Sequence, residues 1–83
     1  MILEILTPAN KIFSNEVYGI QLPGIHGQFE VLNNHAPLVS ALGKGVLKIL
    51  VDKNNQEKYV ISGGFVEVLQ NKVMVLVEQA KKC

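Results

Sequence analysis

The sequence predicts an all-β protein, a two-sheet antiparallel β-sandwich, and three observations carry that expectation. Val and Ile supply 18 of the 83 residues, and nearly all stand in short runs bounded by Gly, Pro or Asn. Several runs alternate with a period of two: Phe29 and Val31 oppose Gln28 and Glu30, and Val66 and Val68 oppose Glu67. No stretch repeats its apolar residues at the 3.6-residue spacing of a helix face.

Nine strands follow in order, separated by residues that suit turns. Ile2 to Leu6 ends at Thr7-Pro8-Ala9-Asn10, where Pro presets φ and Asn tolerates the left-handed region. Lys11 to Phe13 and Val17 to Leu22 lead to Pro23-Gly24, a second turn. Gln28 to Leu32 precedes a structured loop, Leu32 to Leu38, in which Pro37 forces Ala36 into extended geometry. Leu38 to Leu42 and Val46 to Val51 flank the turn Gly43-Lys44-Gly45. Asp52-Lys53-Asn54-Asn55 turns the chain into Lys58 to Ser62, and Gly63-Gly64 forms a bulge or tight bend before Phe65 to Leu69. Gln70-Asn71 connects to Val73 to Val77, after which Glu78 to Lys82 is the one segment that offers a helix start. Val46 to Val51, with only Lys48 polar, and Val73 to Val77, with nothing polar, are expected to be buried on both faces.

Length and composition bound the rest. Residues 1–83 make one small domain, and Leu, Val, Ile and Phe together supply 31 of them, ample for a core. Domains of this size bury only about 60% of their unfolded surface, so a stabilising partner suits the chain. The net charge is +1 and there is no Arg, the side chain best fitted to bidentate phosphate and base contacts, so nucleic-acid binding is not expected. The lone cysteine, Cys83, excludes an internal disulfide, a multi-cysteine zinc cluster and a redox pair, and suits a reducing, cytosolic setting. No apolar run approaches the ~20 residues of a bilayer span, and Met1-Ile2-Leu3-Glu4 lacks the basic flank of a signal peptide. Direct membrane insertion and export are not expected.

Groups for catalysis are sparse. A triad would have to draw on His35, Ser40 or Ser62, and Asp52, yet neither serine sits in a nucleophile-elbow sequence. His26 and His35 stand nine residues apart without a nearby Cys or second His pair, so no metal site is expected. Gly43-Lys44-Gly45 fails as a phosphate loop, because Leu38 takes the place of the first Gly and Gly45 that of the Ser or Thr. No cofactor and no specific nucleotide binding are therefore expected.

One stretch is not generic: Leu22-Pro-Gly-Ile-His-Gly-Gln-Phe-Glu-Val-Leu-Asn-Asn-His-Ala-Pro-Leu38. It resembles the signature of the epsilon subunit of F-type ATP synthase. Leu42-Gly-Lys-Gly-Val-Leu-Lys-Ile49 is similar to the turn and strand that follow in that family, and Tyr59-Val-Ile-Ser-Gly-Gly-Phe-Val-Glu-Val68 to its Ser-Gly-Gly segment. The likeness runs in order along essentially the whole chain.

That resemblance implies the epsilon-type N-terminal β-sandwich. It further implies a non-catalytic rotor subunit of the central stalk, which joins the gamma subunit to the membrane c-ring and couples ion translocation to ATP synthesis or hydrolysis. It places the protein peripherally on the cytoplasmic face of the bacterial inner membrane. The c-ring side would be Ile25, His26, Gly27, Gln28, Phe29 and Glu30, and the gamma side His35, Ala36, Pro37, Leu38, Val39, Ser40, Ala41 and Leu42. Gln28 and Glu30 would face outward beside Gly24 and Gly27, whose missing side chains let a partner's backbone approach. Most family members continue past the position of Cys83 into a helical hairpin that carries an inhibitory switch; neither hairpin nor switch is expected here. The alternative is a lipoyl- or biotinyl-type carrier domain displaying Lys53 on a hairpin tip. It lacks the Met-Lys-Met of biotinyl domains and the acidic context of lipoyl ones, and leaves His-Ala-Pro-Leu unexplained.

Overall fold

The computed structural model describes residues 1–83, and every element in it is a strand. The ten strands are β1 (Ile2–Leu6), β2 (Lys11–Glu16), β3 (Gly19–Gly24), β4 (Gly27–Leu32), β5 (Leu38–Leu42), β6 (Gly45–Leu50), β7 (Gln56–Ile61), β8 (Gly64–Leu69), β9 (Lys72–Val77) and β10 (Ala80–Lys82). One hydrogen-bonded path runs β10-β7-β6-β3-β5-β8-β9-β1-β2, with β4 on β3. Between β3 and β5 the path narrows to a single pair, Gly24 with Leu42. There the sheet folds over, giving one layer of β3, β4, β6, β7 and β10 and a second of β5, β8, β9, β1 and β2.

The core lies between the layers and follows from alternation. Ile20, Leu22, Val31, Leu47, Ile49 and Ile61 come from the first layer; Leu3, Ile5, Val66, Val68, Val73 and Val75 come from the second; all are almost completely buried. Burial of each such side chain contributes about 1.5–3 kcal/mol relative to exposure. No polar or charged side chain is buried among them. Consecutive strands form the hairpins β1–β2, β3–β4, β6–β7 and β8–β9.

Several expectations need correction. The pairing is not wholly antiparallel: β1 lies parallel to β9, which covers an edge that the β8–β9 hairpin alone would leave open. Glu78 to Lys82 starts no helix; Ala80, Lys81 and Lys82 pair with Ile61, Val60 and Tyr59 as β10, because the free edge of β7 offers partners that three residues of helix could not supply. Pro23-Gly24 is not a turn but the end of β3, and the chain reverses at Ile25-His26. Lys11 to Phe13 is the front half of a strand that reaches Glu16, and Val17 and Tyr18 form the break before β3. The runs at 46–51 and 73–77 are buried on one face only: Leu47, Ile49, Val73, Val75 and Val77 point inward, whereas Val46 is exposed and Leu50, Met74 and Leu76 are half-exposed.

The turns use the expected chemistry. Gln70 and Asn71 both adopt positive φ, 50° and 61°, as a two-residue type I′ hairpin requires. In the β6–β7 connection Asp52 Oδ1 accepts from the backbone N–H of Asn54 and Asn55 at 2.8 and 2.9 Å. The Asn55 side-chain amide, and next the Asn54 N–H, hold the Asp52 carboxyl below the usual range.

Candidate interaction surface

The segment Ile25 to Glu30 is the β3–β4 hairpin. Its tip is braced from outside, since the Ile25 N–H donates to the Ala41 carbonyl at 3.3 Å and the Gly43 N–H to the Pro23 carbonyl at 2.8 Å. Ile25 and His26 project into solvent, and Gly27 turns the chain at φ 128° with open space where a side chain would stand. Gln28 and Glu30 are exposed on the outer face and tied into a chain of amides: Gln28 Nε2 donates to Gln21 Oε1 at 3.3 Å, and Gln21 Nε2 to Glu30 Oε1 at 2.9 Å. Phe29 points the other way and packs, half-buried, on the core. Gly24 does not leave room for a partner; a β-carbon there would meet the Gly27 carbonyl at 2.6 Å and the Phe29 ring at 3.0 Å, so its smallness serves the hairpin itself.

The segment His35 to Leu42 divides. His35, Ala36 and Pro37 lie exposed in the loop before β5, where His35 Nδ1 stands 2.7 Å from the Ala36 carbonyl. Along β5, Val39 is 70% exposed and Ala41 is exposed beside it on the outer face. Leu38 packs against the core, Ser40 is half-buried, and Leu42 is 4% exposed. Leu42 and Leu38 therefore build the scaffold, while Val39 and Ala41 are offered outward. The hairpin tip meets the far end of β5, where Gly24 pairs with Leu42 and the Ile25 N–H donates to Ala41, and the His35 loop lies roughly 16 Å back along β5 from that corner.

Sequence reasoning missed the apolar ground around Val39. Cross-strand register puts Ala41, Phe65, Leu76 and Leu6 in one row of the outer face, with Val39, Glu67, Met74 and Glu4 in the next. Phe65 is 47% and Leu69 50% exposed, and Met74 and Leu76 are half-exposed. The signal was available in Val73 to Val77: an unbroken apolar strand in a sheet with one wet face must show its alternate residues to something. At the margin, Glu4 accepts from Lys11 and Lys72, each at 3.4 Å, and these contacts hold its carboxyl below the ordinary range.

No group of three or more His, Cys, Asp and Glu side chains lies close enough to share a metal ion. An open cleft of about 690 Å³ lies between the β1–β2 hairpin and the β7–β10 edge, lined by Thr7, Asn10 and Ile12 from the first and by Ser62 and Ala80 from the second, with Lys44 also in its lining. Lys53 stands exposed at the β6–β7 turn. No helix is long and apolar enough to cross a membrane.

The two layers, the single-pair corner between them and the enclosed apolar core define a β-sandwich with one partly apolar outer face. The chain belongs to the family described as ATP synthase, delta/epsilon chain, beta-sandwich domain, whose model matches residues 1–82. Among its relatives, an ATP synthase epsilon chain of Maridesulfovibrio salexigens is 45% identical over 83 residues, covering 99% of this chain and 57% of that protein. One from Pelotomaculum thermopropionicum is 44% identical over 80 residues, covering 96% of this chain and 59% of that protein. One from Chlorobaculum tepidum is 39% identical over 77 residues, covering 93% of this chain and 88% of that protein. The chain thus spans just under three fifths of the first two relatives and most of the third.

Among solved structures, a chain in the Euglena gracilis mitochondrial ATP synthase OSCP/F1/c-ring assembly superposes with a TM-score of 0.93 at 28% identity, covering 99% of this chain and 52% of that one. A chain of the Tetrahymena thermophila mitochondrial ATP synthase central stalk and c-ring shares the fold, with a TM-score of 0.83 at 20% identity over 95% of this chain and 63% of that one.

Proposed function

We propose that the chain acts as a non-catalytic rotor subunit of an F-type ATP synthase, linking the gamma subunit to the c-ring and so coupling ion translocation to ATP synthesis or hydrolysis. The observation that carries this reading is the family match over residues 1–82. The exposed apolar outer face of β5, β8 and β9 supports it, because a sheet face this apolar gains by being covered. In this reading gamma lies against His35, Ala36, Pro37, Val39 and Ala41 and against the neighbouring Phe65 and Leu69. The c-ring meets the hairpin tip at Ile25, His26 and Gly27 together with Gln28 and Glu30. The protein then sits peripherally on the cytoplasmic face of the membrane, and residues 1–83 transmit torque as one unit. Two layers of cross-strand hydrogen bonds around a dry core resist shear, as a clamp between shaft and ring must.

The test is reconstitution. F1 depleted of its epsilon chain is added back to stripped membranes with or without this protein, and ATP-driven acidification is followed. Restored acidification with unchanged hydrolysis per F1 is expected; hydrolysis without acidification in both samples would refute the coupling role.

A further inference from the structure

The loop that presents His35, Ala36 and Pro37 has no strand partner, and its path is fixed from elsewhere in the fold. His35 N–H donates to the Leu32 carbonyl at 3.2 Å, closing a turn in which Asn34 adopts φ 63°. In such a turn the N–H of the third residue finds no acceptor within the turn. Here the Asn34 N–H donates to Oδ1 of Asn71 at 2.7 Å, 37 residues away in the β8–β9 turn. Asn33 is held as well, its Oδ1 accepting from the Met1 amino group at 3.0 Å. Asn71 is itself fixed, by its φ of 61° and by its carbonyl, which accepts from the Ile2 N–H at 3.2 Å.

We infer that Asn71 is a positioning residue for the partner-binding loop: it touches no partner, but by holding the Asn34 N–H it sets the path of the backbone that offers His35, Ala36 and Pro37. The inference rests on the reading that this loop faces gamma. Pro37 fixes its own φ and biases Ala36, which leaves the Asn33 to His35 stretch to be ordered by Asn71 and Met1. A loop already ordered loses less entropy on binding. The turn does not by itself require this side chain, since Gly suits the second position of a type I′ turn at least as well as Asn. The amide is therefore free to serve the loop.

Two variants separate these roles. Asn71→Gly keeps the turn and removes the acceptor; Asn71→Asp keeps both. Each is compared with wild type by thermal unfolding, by hydrogen exchange of the Asn34 amide, and by calorimetric titration with purified gamma subunit. For Asn71→Gly the expected result is an unchanged unfolding midpoint, an Asn34 amide that exchanges about ten-fold faster, and a Kd for gamma raised about three- to ten-fold. Asn71→Asp restores the last two. Wild-type affinity in Asn71→Gly despite a released Asn34 overturns the inference, as does failure of Asn71→Asp to restore binding. If wild type binds no gamma, the underlying reading has failed and the inference falls with it, while the exchange data still report whether Asn71 orders the loop.

Discussion

Gly64 lies against the carbonyl oxygen of Leu76, so close that a β-carbon at position 64 would overlap it. The contact sets the spacing of β8 on β9 just after the bend at Gly63, and Gly64 holds φ at 147°, a region side chains avoid. Gly64→Ala is expected to cost about 3 kcal/mol or more, combining backbone strain with overpacking. Gly27 is the control, with φ 128° but nothing within 4 Å of an added β-carbon. Gly27→Ala should cost only about 1–2 kcal/mol, from the backbone alone. Urea unfolding of both variants checks the difference.

Gln70 occupies the left-handed region at φ 50°, which suits Asn or Gly better than Gln. Gln70→Asn is expected to stabilise the protein by about 0.5–1 kcal/mol, read as a higher denaturant midpoint at constant slope. An unchanged or lower midpoint would mean that Gln70 makes compensating contacts.

Val39 and Leu42 test the division of β5 into surface and scaffold. Leu42→Asp places a carboxylate in the core and should prevent folding at ordinary temperatures. Val39→Asp, at a 70% exposed position, should leave the unfolding midpoint within about 0.5 kcal/mol of wild type. Circular dichroism melts distinguish the two outcomes.

Acid stability should depend on Glu4. Its carboxyl is held below the ordinary glutamate value first by the hydrogen bond from Lys11 and then by that from Lys72. The folded state therefore binds its proton less readily than the unfolded chain. This contribution is present above the unfolded value of about 4.3 and is lost as pH falls through the lower folded value. Asp52 acts in the same sense. Lys82, raised by its bond to Glu57, acts in the opposite sense, contributing below about pH 10.4 and losing that contribution as pH rises through the folded value. Glu4→Gln should flatten the decline of the denaturant midpoint between pH 5 and 3; an identical decline would show that Glu4 is not linked to folding.

The fold was legible wherever alternation and turn chemistry agreed. Phe29 with Val31 and Val66 with Val68 point inward as their spacing demands, and Gln70-Asn71 and Asp52 to Asn55 turn where Asn and Asp permit it. What escaped was set by distant partners. Nothing local in Ala80 to Lys82 says strand; the free edge of β7 does. Nothing near Pro23-Gly24 says that pairing with Gln28 and Gly27 carries the strand two residues further. The parallel pairing of β1 with β9 joins residues some seventy positions apart, beyond any local pattern. For the surface, the His35 loop stood out by composition and motif, but Met74 and Leu76 read as core because an apolar run looks the same whether its second face is covered by the chain itself or by a partner.

The central claim, that this sandwich is a gamma-binding rotor part, is tested most directly by titrating purified gamma subunit with the wild-type chain and with a Val39→Asp, Phe65→Asp double variant in a calorimeter. Both positions are exposed, so the double variant is expected to melt like wild type. Wild type should saturate at one chain per gamma, and the double variant should bind at least about ten-fold more weakly, the equivalent of burying two charges for nothing. No heat from wild type, or equal affinity in the folded double variant, would contradict the claim.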